Sequence, residues 1–164
     1  MHETSVSLGL GQNCTMRTLM LQNRADPFVP IREIVQLHYE GWPDFGTPAE
    51  AATIVSLARL LRDVVSSRPG RPGVAPVVVH CSAGCGRTGT FCTVDSVMNS
   101  IDSGMGEGKE DLIYRKVLSL REDRMSLVQT LRQYVLCYDC VLYHILSKLN
   151  MMSAEEEDDQ MKIG

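Results

Sequence analysis

The stretch VVVHCSAGCGRTGT, Val77 to Thr90, decides how this chain is read. An apolar run ends in His80 and Cys81, small residues fill positions 82 to 86, and Arg87 and Thr88 open a helical pattern. Small residues make a poor core, but they let a backbone bend sharply and come close to a ligand. A glycine-rich turn between a strand and a helix gathers backbone N–H groups at the positive end of the helix dipole, which makes an anion cradle. Here Ser82, Ala83, Gly84, Cys85 and Gly86 line the cradle, and the planar fork of Arg87 matches two oxygens of a phosphate. The same field favours thiolate over thiol, which makes Cys81 a candidate nucleophile. Thr88 stands where its hydroxyl reaches the sulfur, and His80 where it can fix the loop. Two plainer readings stand beside this one. Cys81 alone is more often a buried structural thiol. Glycine-rich turns also bind nucleotides, although GxxxxGK[ST] is absent and Arg87 is not the P-loop lysine.

Working outward, Val77 to Val79 predicts a short buried strand, and Arg87 to Ile101 a helix with Phe91, Val94, Met98 and Ile101 inward. Upstream, Cys14 to Leu21 and Glu33 to Tyr39 read as strands joined by the polar turn Asn23 to Pro27. Residues 1 to 13 show no clear period. Gly41 to Pro48 is a loop, and Glu50 to Ser67 a helix with Ile54, Leu57, Ala58, Leu61, Val64 and Val65 on one face. The linker Arg68 to Gly73 follows. Downstream, Ser103 to Gly108 is a glycine-rich break, and Glu110 to Leu120 is a helix. A longer helix is predicted from Ser126 to Leu149, with Val128, Leu131, Val135, Tyr138, Leu142, Ile145 and Leu149 at helical spacing. The fold class is therefore α/β or α+β, a mixed twisted sheet flanked by helices, with the loop at the carboxyl end of a strand.

With 164 residues and 44% apolar side chains the chain suits one globular domain. Residues 1–150 read as that domain and 151–164 as an acidic, disordered tail. The tail supplies most of the formal charge of −4, and no basic stripe suggests nucleic acid. No run is long enough to span a bilayer. The start lacks the pattern of a secretory signal. The six cysteines form neither a disulfide framework nor paired zinc knuckles. A cytoplasmic location is expected, without metal or cofactor.

The cysteine loop resembles the active-site signature of the protein tyrosine phosphatases, His-Cys-(x)5-Arg-Ser/Thr-Gly. Two further stretches carry the resemblance. WPDFGTP, Trp42 to Pro48, is similar to the family's mobile loop. By that likeness Asp44 is the general acid that protonates the leaving group, and Trp42 is a packed hinge anchor. REDRMSLVQTLRQY, Arg121 to Tyr134, resembles the family's glutamine loop. It implies that Gln129 orients the hydrolytic water and that Gln133 assists as a substrate contact. Arg121 and Arg124 either support the cradle, bind a second anion, or are exposed helix-end residues. His38 is read as structural. The resemblance runs from about Thr15 to Leu149 and implies a cysteine phosphatase fold lacking the N-terminal part of the family domain, including its tyrosine-bearing recognition loop.

What the resemblance implies is hydrolysis of phosphotyrosine in protein substrates, with Cys81, Arg87, Asp44, Gln129 and Thr88 as the catalytic set. A thiolate working beside a protonated acid implies a bell-shaped dependence of rate on pH. The alternatives are a pseudophosphatase or inactive fragment that binds phosphotyrosine without turnover, and a dual-specificity phosphatase with a shallower pocket.

Overall fold

The computed structural model describes residues 4–8, 13–67, 76–105 and 110–163. Backbone contacts divide the chain into two compact units, Met1–Pro43 and Asp44–Gly164.

The first unit is an antiparallel meander of β1 (Thr4–Leu8), β2 (Cys14–Leu21) and β3 (Arg32–Tyr39), in the order β1-β2-β3. Cys14 lies opposite Tyr39, and Leu21 opposite Arg32. β2 and β3 are rich in Thr, Val, Ile and Leu, which suit a pleated surface. Side chains close the turn between them: Asn23 Oδ1 accepts from Ala25 N at 3.0 Å and Asp26 Oδ1 from Phe28 N at 3.1 Å. His38 Nδ1 lies 2.9 Å from Arg17 Nη1, a structural placement. β1 is a strand that periodicity did not reveal, because five residues give too little alternation to read.

The second unit is helical: α1 (Ala51–Ser66), α2 (Gly86–Asp102), α3 (Leu112–Asp123) and α4 (Leu131–Ile163). α2 packs against the other three. Its Val94, Val97 and Met98 meet a core that includes Ile54, Val55 and Ala58 of α1, Ile113 and Val117 of α3, and Leu136, Cys137 and Cys140 of α4, all buried. Burying each large aliphatic side chain contributes about 1.5–3 kcal/mol. A polar layer crosses the same helices. Arg62 of α1 bonds Asp95 at 3.1 Å and Asp102 at 3.0 Å on α2. His144 of α4, buried, lies 2.9 Å from Asp102 through Nε2 and 3.1 Å from Arg59 through Nδ1. Arginine only donates, so Nδ1 is the acceptor and Nε2–H the donor.

Three readings from the sequence need correction. Val77–Val79 is not a strand; Val78 is 82% exposed, and the described sheet holds only β1 to β3. An extended run becomes a strand only where a neighbour completes its ladder. α4 begins at Leu131 rather than Ser126. Ser126 and Val128 hold positive φ, 66° and 58°, which a right-handed helix excludes. The helix also presents a different face: Gln133, Leu136, Cys137, Cys140, Val141 and His144 are buried, while Leu131 is 77% and Leu142 56% exposed. Apolar spacing does not register a glutamine or a histidine whose polar atoms are satisfied inside. α4 runs on to Ile163, through the acidic run. Ala, Glu, Gln, Met and Lys are good helix formers, and extending a helix is far easier than nucleating one. The linker 68–73 and residues 106–108 of the glycine-rich break lie outside the described residues.

Candidate active site

The cysteine loop leads directly into α2. Gly84 holds φ at +65°, which turns the chain so that backbone N–H groups point inward. Partial burial works to raise the Cys81 thiol. Against it act the Thr88 hydroxyl and the N–H groups of Thr88, Cys85 and Gly84, which bring the thiol down from 9.0 to about 7. Among the described residues, the buried Thr88 Oγ1 makes no well-directed hydrogen bond. Sulfur's diffuse lone pairs accept over a wide range of angles, so this hydroxyl still acts electrostatically on Cys81. His80 is exposed, and among the described residues its Nδ1 lies 3.5 Å from the neighbouring Cys81 carbonyl.

Asp44 closes over this cradle. Its Oδ1 accepts from Arg87 Nη2 and, at 2.7 Å, from Ser82 Oγ. Arg87 Nη2 also donates to Ser82 Oγ at 2.9 Å. The acid of the WPDFGTP loop and the arginine of the cradle, 43 positions apart, therefore meet. Phe45, next to Asp44, holds a positive φ of 57°. Non-glycine residues in this region cost energy and cluster at functional sites. Trp42 is buried.

The glutamine loop lies behind α2. A Cβ on Gly89 would sit 2.5 Å from Val128 N, so α2 and this loop touch backbone to backbone and only glycine fits. Arg121 holds the strained turn: its Nε donates to Leu127 O at 2.9 Å and its Nη2 to Val128 O at 2.8 Å. Arg124 Nη2 donates to Ala83 O at 3.0 Å and supports the cradle itself. Of the roles open for these two arginines, bracing is the one their geometry displays. Gln129 is exposed and lines an open cleft of about 350 Å³ with Arg121, Met125, Ser126 and Val128. Gln133, read from the sequence as a substrate contact, is instead 1% exposed, with its amide engaged inside the protein. The strain at Val128 and the brace from Arg121 were invisible in the sequence, since neither has a residue-type signature.

Elsewhere, burial pushes the thiols of Cys137 and Cys140 up to about 12, which makes this CxxC inert. Among the described residues no helix is long and apolar enough to cross a membrane.

A cysteine thiol lowered by backbone N–H groups and a hydroxyl thus shares a loop with Ser82 and Arg87, which both bond the Asp44 carboxylate. The family model for protein-tyrosine phosphatase matches residues 4–143, and the chain belongs to that family. It is 36% identical over 146 residues to human receptor-type tyrosine-protein phosphatase alpha, covering 87% of this chain and 17% of that protein. Rat receptor-type tyrosine-protein phosphatase epsilon is 39% identical over 127 residues, covering 76% of this chain and again 17% of the relative. Among solved structures, a Trypanosoma brucei protein tyrosine phosphatase superposes with a TM-score of 0.68 at 30% identity, over 87% of this chain and 45% of that one. The Trypanosoma cruzi protein tyrosine phosphatase gives the same TM-score at 31% identity, over 81% and 41%.

Proposed function

We propose that this chain hydrolyses phosphotyrosine in protein substrates through a phosphocysteine. The observation that carries the reading is the Cys81 thiol, brought down to about 7 by the cradle, with Arg87 and Asp44 meeting at Ser82 of the same loop. The N–H groups of residues 82–88 and the Arg87 fork hold the phosphate oxygens. The Cys81 thiolate attacks phosphorus in line. The bond to the tyrosine oxygen breaks, and Asp44 gives that oxygen its proton. The Thr88 hydroxyl stabilises the sulfur as thiolate. Water, oriented by Gln129, then attacks phosphorus. Asp44 takes the water's proton, the S–P bond breaks, and phosphate leaves with the thiolate restored. Positioning and electrostatics carry the rate. Asp44 has to let go of Arg87 and Ser82 as phosphate arrives, so the acid loop opens and closes once per turnover.

The test is hydrolysis of p-nitrophenyl phosphate and of a phosphotyrosine peptide in EDTA. Cys81→Ser is expected to abolish turnover and keep phosphate binding, and Asp44→Ala to slow turnover while retaining substrate. Undiminished turnover by Cys81→Ser would remove Cys81 as the nucleophile.

A further inference from the structure

Gln133 does two jobs with one amide. Thr130 caps α4, its Oγ1 accepting from Gln133 N at 3.2 Å, and Gln133 Oε1 accepts in return from Thr130 N at 3.3 Å. This is a capping box of the form Thr-x-x-Gln, and a capping box alone would account for a glutamine here. Two further contacts exceed that role. Oε1 also accepts from Gln129 N at 3.0 Å. The other end, Nε2, donates to Gly46 O at 3.4 Å, 87 positions away in the acid loop. The amide orientation follows from its partners: two backbone N–H groups face one end and can only donate, and a carbonyl faces the other and can only accept. The side chain is 1% exposed, so water does not compete for these bonds. A Cβ on Gly86 would lie 2.8 Å from Oε1 and 2.9 Å from Nε2, so the glycine that opens α2 leaves the space the amide fills. One buried group thus touches the cradle's last residue, the glutamine loop and the acid loop.

We propose that Gln133 is a positioning residue, whose buried amide ties the acid loop at Gly46 to the backbone of Gln129 and sets where Asp44 stands over the cradle. The proposal rests on the phosphatase reading above. It gives Gln133 no contact with substrate; it acts through Asp44.

The test separates positioning from capping. Gln133→Met keeps the volume and removes every polar contact, while Thr130→Ala removes the cap hydroxyl and keeps the tie to Gly46. The readout is kcat/KM, which reports steps up to formation of the phosphocysteine, for two substrates. A phosphotyrosine peptide has a basic leaving group that needs the acid; a polyfluorinated aryl phosphate has one that does not. For Gln133→Met the peptide value is expected to fall about tenfold and the fluorinated value less than about twofold, a part of what general acid catalysis supplies. Thr130→Ala is expected to lower thermal stability and leave the ratio of the two values unchanged. An equal fall on both substrates, or none, would overturn the proposal. A second readout does not depend on turnover. Hydrogen exchange in Gln133→Met is expected to speed up at Gln129, at Thr130 and across residues 44–48, with α2 unaffected. Unchanged exchange across 44–48 would overturn the proposal even in a chain that turned over no substrate, whereas failure of wild-type turnover alone would count against the phosphatase reading.

Discussion

At the scale of single residues, the proposed site depends on a thiol that its loop holds below the usual range and on glycines that leave space. Labelling by iodoacetamide is expected to rise with pH at Cys81 with a midpoint at about 7, while Cys137 and Cys140, raised to about 12 by burial, stay unlabelled. Thr88 donates to the charged form of the sulfur, so Thr88→Ala disfavours the thiolate and moves that midpoint up towards 9.0. An unmoved midpoint, followed by mass spectrometry of the Cys81 peptide, would show that the hydroxyl does not act on the sulfur. Gly89→Ala is expected to cost about 1–3 kcal/mol in urea unfolding, because its Cβ would meet Val128 N and backbone cannot yield as a side chain does. The sequence made Cys81, Arg87 and Asp44 legible, because a thiol, a fork of donors and a lone acid announce their chemistry by type. It did not make Gln133 legible, because whether an amide faces substrate or core depends on three loops that only the fold assembles.

At the scale of elements, capping and burial decide more than apolar spacing. Asp111 caps α3, its side chain accepting from Tyr114 N at 2.9 Å, and also receives the Tyr138 hydroxyl of α4. The Tyr114 N–H first, and then Tyr138, hold this carboxyl below its usual 3.8. A depressed carboxyl adds stability above its ordinary range and loses it as pH falls through the lowered value. Asp111→Ala is therefore expected to cost about 1 kcal/mol at neutral pH and to approach the wild type in acid, as followed by circular dichroism. A loss that persisted unchanged in acid would show that the carboxylate charge is not what stabilises the pair. α1 could be read to within a residue at each end because its apolar period is unbroken. α4 could not, because positive φ at Ser126 and Val128 and the Thr130 cap set its start, and two buried polar side chains, Gln133 and His144, set its face.

At the scale of the whole molecule, the helical unit buries one side of α4 and leaves the other apolar and exposed. Met98 is fully buried, and Met98→Ala is expected to cost about 2–5 kcal/mol in thermal or urea unfolding. Leu142 is 56% exposed, and Leu142→Gln is expected to change stability by no more than about 0.5 kcal/mol. Equal losses would show that α4 packs by the Leu131–Leu142 face after all. The chain spans 17% of the length of these curated relatives. The proposed catalytic cycle turns on one covalent species. Rapid acid quenching during turnover of an aryl phosphate, followed by mass spectrometry of the peptides, tests it most directly. The account predicts one phosphoryl group on the peptide containing Cys81, more of it in Gln129→Ala, where water is no longer oriented, and none in Cys81→Ser. Turnover with no phosphoryl group on Cys81, or with one on a different residue, would contradict it.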